Sequence, residues 1–143
     1  MGSQTFKLLI AAVLLLHGLG HGGAFVAALL ARGGRADTGA WGAARLWALP
    51  SLSTSAATIV AGVFWTLSLV GFVVTALAFW GWLMPPAIWR QLAIASAIVS
   101  LVGIVLFLGT WPAFNTLAAL AVNLAVLITQ LWTHWPDHAV FGT

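Results

Sequence analysis

The sequence predicts an all-α protein, a bundle of four transmembrane helices with a short interfacial segment between the first two. Three observations carry this prediction. Hydrophobic residues make up 62% of the 143 residues and charged residues only 5%, far below the roughly 25% of a water-soluble domain. Four apolar runs are long enough to cross a bilayer, which takes about 20 helical residues. Most of the nine tryptophans fall at the predicted ends of these runs, where the membrane interface favours them.

The first two runs have clear boundaries. The four predicted helices span residues 8–31, 56–83, 88–108 and 112–134. Lys7 precedes the first, which we predict to be a retained helix rather than a signal peptide because its apolar stretch continues past Leu16. Hydroxyl side chains in residues 51–55 favour an N-cap for the second helix, and Pro85-Pro86 ends it. No run alternates polar with apolar residues, so helices satisfy the backbone in lipid.

The last two runs are bounded by glycine and proline. Gly109 is a candidate left-handed stop for the third helix. Thr110 is a candidate cap for the fourth, Pro112 suits its first turn, and Pro136 ends it. The chain shows no internal repeat, and we predict a single domain over residues 1–143.

The charges predict an orientation in a bacterial cytoplasmic membrane. Four spans place both termini on one side of the bilayer. Arg32, Arg35 and Arg45 lie on the side of the connection between helices one and two, against Lys7 and Arg90 on the terminal side. Because basic residues favour the cytoplasm, this balance predicts a cytoplasmic connection and outside termini.

The long connection between the first two helices admits two interpretations. Residues 38–49 read as a short amphipathic helix lying in the interface, with Trp41 and Arg45 one turn apart. They read equally well as an ordered loop. The sequence leaves the two open.

Composition excludes several classes of function. The net charge of +3 reflects few acids rather than a basic cluster, so a nucleic-acid partner is not expected. The chain has no Cys, which excludes disulfides and thiolate metal sites. Both carboxylates, Asp37 and Asp137, lie outside the predicted spans, so neither ion-coupled transport nor catalysis by this chain alone is expected.

His17 and His21 mark the candidate site. They lie one turn apart on one face of helix one and are the ionisable side chains near its middle. An ionisable side chain at membrane depth is a functional hypothesis by default. Four glycines leave little side-chain bulk beside them: Gly18, Gly20, Gly22 and Gly23.

The structural interpretation, which we favour, is helix packing. Gly18 and Gly22 form a small-xxx-small pair that lets another helix approach closely, and a neutral histidine then hydrogen-bonds across the interface. A polar and small-residue stripe on helix four offers a partner: Asn115, Ala119, Asn123, Gln130 and His134. We predict that helix one packs against helix four with Asn123 beside the histidines. The protein would then be a non-catalytic subunit packing on a larger membrane complex or on itself.

The alternative is a cofactor or lipid site formed by His17, His21 and Asn123. A haem or chlorophyll-type tetrapyrrole needs a single axial histidine here, since residues four apart on one helix cannot ligate from opposite faces. A quinone or lipid needs only a histidine that donates a hydrogen bond to a carbonyl oxygen in an apolar cavity.

A metal site is the third interpretation, and depth argues against it. His134, Asp137 and His138 have ligand-like spacing. His17 lies ten residues beyond Lys7, about 15 Å along the helix, whereas His134 lies at the interface on the same side as Lys7. We therefore predict no metal site.

The entry Leu14-Leu15-Leu16 into His17-Gly18-Leu19-Gly20, together with the length and four-span layout, resembles the DoxX-like family of small bacterial membrane proteins. That family often has a basic residue near the start of helix one and another after its glycine element. Lys7 matches the first, and His21 occupies the second position. The resemblance implies a membrane-embedded partner of a redox system, sometimes linked to quinone, and assigns no catalytic residue.

Overall fold

The four-helix architecture predicted from the sequence is confirmed. The computed structural model describes residues 2–33, 43–82 and 85–136, and all regular elements within them are helical. Each of the four long helical segments is long and apolar enough to cross a membrane. The helices are α1 Ser3–Arg32, α2 Thr54–Trp80, α3 Trp89–Leu106 and α4 Ala113–Ile128.

Two predicted helix boundaries were wrong. α1 begins at Ser3 rather than at Leu8, because the polar residues that precede Lys7 continue the first turns. α2 ends at Trp80, ahead of the prolines. Gly81 adopts a left-handed conformation with φ 87° and donates its N–H to Ala78 O, so the glycine ends the helix before Pro85 is reached.

The N-cap of α2 lies in the predicted hydroxyl-rich segment. Ser53 precedes the first helical residue, and its Oγ accepts a hydrogen bond from Ala56 N at 3.2 Å. This bond satisfies one of the backbone donors that a helix start leaves unpaired.

We expect Ser53→Ala to lower the free energy of unfolding by about 1 kcal/mol, the typical value of an N-cap side chain. Chemical unfolding in detergent micelles measures this difference. Ser51→Ala is the matched control, because Ser51 lies in the preceding turn and leaves the cap bond intact. Equal losses for both variants would refute the capping role.

The ends of α3 and α4 differ in detail from the predictions. Gly109 has the expected positive φ of 84°, but α3 has already ended at Leu106. Pro112 is the N-cap residue of α4 rather than part of its first turn, and Thr110 does not cap this helix. α4 continues into a π-helical turn, Thr129–Thr133, which stops one turn before Pro136.

The connection between α1 and α2 is a loop where the structure describes it. Residues 43–53 form turns, including hydrogen bonds from Leu49 N to Leu46 O and from Leu52 N to Leu49 O. Trp47 Nε1 donates to Val105 O at 2.6 Å, which ties this loop to the last turn of α3. The interfacial-helix interpretation is therefore wrong for residues 43–49, and residues 38–42 lie outside the described part.

Small residues on α1 and α2 bring these two helices together. A Cβ on Gly18 would lie 3.0 Å from Phe72 Cβ and 3.1 Å from Leu69 O. The Leu69 side chain also covers Gly22, and the Phe25 ring lies over Gly62 of α2. The prediction that the Gly18–Gly22 face packs against helix four was wrong, since α2 occupies it.

Small residues also allow close contact between the other helices. Gly71 faces Ser96, and Gly103 faces Phe64, so α2 and α3 also approach closely. α3 in turn packs against α4. Contacts between successive helices dominate the packing of the described residues, and the seam between α1 and α4 contains grooves instead of close helix packing.

Candidate functional site

Four polar side chains meet halfway along the bundle and link three helices. His17 Nε2 on α1 lies 3.0 Å from Asn123 Oδ1 on α4. Asn123 Nδ2 lies 2.7 Å from Ser100 Oγ on α3, and Ser100 Oγ lies 2.9 Å from His21 Nε2, back on α1. The predicted proximity of Asn123 to the histidines is confirmed, although the side chains make this link without close packing of the two helices.

The chemistry of these groups orders the hydrogen bonds in one direction. Asn123 Oδ1 can only accept, so His17 Nε2–H donates to it. Asn123 Nδ2 donates to Ser100 Oγ. Among the described residues, His21 Nε2 is the acceptor available to the Ser100 hydroxyl. The proton of the neutral His21 ring is therefore on Nδ1, a tautomer inferred from the network.

His21 Nδ1 lies at the end of this series of hydrogen bonds and has no partner within it. The His21 side chain is only 2% exposed, and Nδ1 is buried with no hydrogen-bond partner among the described residues. A buried donor left unpaired costs about 1–3 kcal/mol. Because nearly all buried polar groups find a partner, this nitrogen is the strongest indication of a ligand at the site.

A groove between α1 and α4 runs past both histidines. It has a volume of about 350 Å³, within the range of small-molecule sites. We call it the histidine groove, and its lining includes His17, Gly20, His21, Trp111, Phe114 and Asn115. Most of its lining is apolar, with a few polar groups near one end.

Aromatic rings lie close to the His21 ring. The His21 ring lies 5.2 Å from the Trp111 ring and 6.3 Å from the Phe72 ring, measured between centroids. Phe114 is 80% exposed and lines the groove beside Trp111. Two further buried polar atoms without a hydrogen-bond partner in the described residues, Trp65 Nε1 and Thr110 Oγ1, lie at this end of the bundle.

The glycines beside His17 and His21 have two different structural roles. Gly18 and Gly22 are covered by α2. Gly20 lines the histidine groove, and a Cβ at Gly20 or Gly23 would meet nothing within 4 Å. Helix packing and an open face for a ligand therefore both occur on this segment, on different sides of α1.

His134 is the one described residue among His134, Asp137 and His138, and it does not join the site. His134 is exposed and follows the π-helical turn at the opposite end of the bundle from Trp111. Asp137 and His138 lie outside the described residues. Within the described ranges, no three His, Asp or Glu side chains lie together as a metal site requires.

The sequence interpretation missed Ser100 and Trp111. Ser96, one turn earlier on α3, bonds back to its own helix at Leu92 O. Ser100 instead joins the polar network. Its position near the middle of α3, at the depth of Asn123 in α4, was the available signal. Trp111 was assigned to the interface, and no feature of the sequence alone placed it against His21.

Comparison with family models, curated proteins and solved structures finds no match to this chain. The geometry of the groove and its hydrogen bonds is therefore the basis on which a function is assigned.

Proposed function

We propose that the chain is an integral membrane protein that crosses a bacterial cytoplasmic membrane four times. Its four apolar helices support the crossing. The interfacial part is the turn-forming loop of residues 43–53, anchored by Trp47. The arginines at positions 32, 35 and 45 favour a cytoplasmic loop and outside termini.

The proposed function is that of a non-catalytic membrane subunit that binds an apolar carbonyl compound, such as a quinone, in the histidine groove. The observation that carries this proposal is the unpaired Nδ1 of His21. As the ordered hydrogen bonds make this nitrogen a donor, its complement is an acceptor oxygen without a proton. A quinone carbonyl supplies such an oxygen on a flat, uncharged ring.

The rest of the groove suits the same ligand. Trp111 and Phe114 offer aromatic faces, which pair with a flat ring by offset or edge contact. His21 Nδ1 is covered, so binding requires a neighbouring side chain to turn aside. Trp111, whose ring centroid lies 5.2 Å from that of His21, lines the groove next to His21 and lies outside the four-residue hydrogen-bond network. The apolar walls formed by Val13, Leu16 and Val122 accommodate a hydrocarbon tail.

A quinone-type ligand agrees with the hydrogen bonds better than a tetrapyrrole does. An axial ligand to iron or magnesium must offer a free nitrogen lone pair. His17 Nε2 carries a proton toward Asn123, and the His21 Nε2 lone pair accepts from Ser100. Haem or chlorophyll binding through the Nε2 atom of either histidine would therefore break this network, whereas carbonyl binding completes it. The DoxX-like resemblance of residues 14–23 is compatible with a quinone-linked redox partner.

Packing against a further membrane subunit, or a second copy, is the second candidate role. α1 and α4 are less buried within the bundle than α2 and α3. Gly23 leaves open space on α1, as helix–helix contacts in membranes favour. The two roles are compatible, because a partner on this face need not enter the histidine groove.

The test is binding of a benzoquinone that carries a decyl tail to the detergent-purified protein. We expect quenching of tryptophan fluorescence on binding, and quinone in the co-purified lipid extract. His21→Phe retains an aromatic ring and removes both nitrogens. We expect it to raise Kd about tenfold, the effect of one lost hydrogen bond of about 1.4 kcal/mol.

Thr75→Val is the control for loss of a buried polar group. Thr75 is fully buried in α2, bonds to Gly71 O of its own helix, and does not line the histidine groove. We expect its quinone Kd to match that of the unaltered protein. An unchanged Kd in a His21→Phe protein that retains its helical circular dichroism would exclude His21 as the ligand donor.

A further inference from the structure

A second groove lies between α1 and α4 at the end of the bundle where α1 begins and α4 ends. Its volume is about 340 Å³, and it adjoins the histidine groove through Val13 and Val122. We call it the glutamine groove, and its lining includes Phe6, Ile10, Trp89, Val126, Gln130 and Trp135. Nothing in the proposed quinone site uses these six residues.

Gln130 is the polar residue that distinguishes this groove. Its side chain is 7% exposed. Gln130 Nε2 donates to Trp135 O at 2.8 Å and to Thr129 Oγ1 at 3.1 Å. Because a backbone carbonyl can only accept, this bond identifies the amide nitrogen, and the other amide atom is the oxygen. Gln130 Oε1 is buried with no hydrogen-bond partner among the described residues.

The π-helical turn explains why Gln130 is held in this way. Thr129–Thr133 widens the end of the fourth helix, and the chain then reverses at His134, which has a φ of 51°. Trp135 N donates to Thr129 O at 2.9 Å, which brings Trp135 O within reach of Gln130 Nε2. The wide turn thereby orients the amide, and π-helical turns occur frequently at functional sites.

The chemistry of the groove selects a neutral ligand with a hydrogen-bond donor. Among the residues that the structure describes, its lining contains no Lys, Arg, Asp, Glu or His, so none of them would compensate the burial of a charged group there. The unpaired Oε1 needs a donor, and the apolar walls need a hydrocarbon chain.

We propose that the glutamine groove binds a neutral lipid alcohol, whose hydroxyl donates to Gln130 Oε1 while its hydrocarbon chain lies along α1 and α4. Trp135, which is 42% exposed and lines the groove, turns aside to admit the hydroxyl. The site differs from the quinone site in the direction of its hydrogen bond. His21 donates to its ligand, whereas Gln130 accepts from its ligand.

The experiment compares two photoreactive probes in nanodiscs of phosphatidylcholine, a lipid that offers no hydroxyl donor. One probe is dodecanol carrying a diazirine on its chain, and the other is the methyl ether of the same molecule, which cannot donate. Labelled peptides are located by mass spectrometry. We expect the alcohol to label peptides containing Phe6 or Val126 about fivefold more than the ether, the effect of one hydrogen bond.

Three variants test the assignment. Gln130→Met keeps a long side chain without the amide oxygen, and we expect the alcohol-to-ether ratio to fall to about one. Gln91→Met makes the same change at an exposed glutamine outside the groove and should keep the ratio. Ala125→Phe fills the groove from an exposed position of α4 without altering Gln130, and we expect it to lower labelling by both probes.

Equal labelling by alcohol and ether in the unaltered protein would overturn the proposal, as would absence of groove labelling or an equal fall in the ratio for Gln91→Met. A fall confined to Gln130→Met would support it. If Gln130→Met loses its helical circular dichroism, the Ala125→Phe result decides: groove labelling that persists at full level overturns the proposal. None of these outcomes depends on quinone binding at His21.

Discussion

Gly18→Ala is expected to lower the free energy of unfolding by about 1–3 kcal/mol, the range for overpacking a close contact. The added Cβ would lie 3.0 Å from Phe72 Cβ, 3.1 Å from Leu69 O and 3.3 Å from Val73 N. Two of these atoms belong to the backbone of α2, which cannot move aside like the end of a flexible side chain. The two helices must therefore separate over this stretch.

Gly23→Ala, five residues along the same helix, is the matched control. Its Cβ would meet nothing within 4 Å, so the change removes the low helix propensity of glycine without a clash. We expect an unchanged or slightly higher stability, by up to about 1 kcal/mol. Unfolding in mixed micelles with increasing sodium dodecyl sulfate, followed by circular dichroism, measures both variants. Equal effects at the two glycines would contradict the close approach of α1 and α2.

Asn123→Ala is expected to lower the free energy of unfolding by about 1–3 kcal/mol. Asn123 is fully buried and joins α4 both to His17 of α1 and to Ser100 of α3. Its removal takes two hydrogen bonds at once and leaves the His17 donor without its acceptor. Single interhelical bonds in membranes contribute about 0.6 kcal/mol on average and up to about 1.7, so two bonds give the stated range. The same detergent titration measures the loss.

Asn115→Ala provides the comparison on the same helix. Asn115 lies two turns earlier on α4 and is exposed at the edge of the histidine groove, so its replacement should change stability by less than about 0.5 kcal/mol. A double-mutant cycle of Asn123→Ala with His17→Phe isolates the bond between the two side chains. Additive losses in that cycle would show that the 3.0 Å contact contributes nothing.

The fold was predictable because hydropathy reports it directly. Sparse charge and four long apolar runs predict four helices, and Ser53 caps α2 as the local rules require. Gly109 takes the expected positive φ, but only after α3 has ended at Leu106. The helix boundaries were predicted less accurately where two residues that can end a helix lie close together in the sequence. α2 ends at Gly81, four residues ahead of Pro85, because Gly81 takes the left-handed conformation and donates its N–H to Ala78 O, whereas Gly62 and Gly71 stay helical within α2.

The candidate site was predictable in part. Depth along the helices correctly predicted that Asn123 lies beside His17, since both occupy the middle of their spans. The helix that packs on Gly18 and Gly22 was not predictable, because a small-xxx-small pair indicates that another helix comes close without indicating which one. The close contacts of these glycines with Leu69 and Phe72 identify that helix as α2.

The helix count, the apolar character of the helices and the depth of the polar residues follow from the sequence alone, because these properties depend on residues near one another in the chain. Tertiary structure alone decided that Ser100 connects Asn123 to His21. It also decided that, among the described residues, His21 Nδ1 and Gln130 Oε1 find no hydrogen-bond partner beside the two grooves. Hydrogen-bond satisfaction depends on which side chains meet across helices, and residues as far apart as 21 and 100 meet only after the bundle has packed.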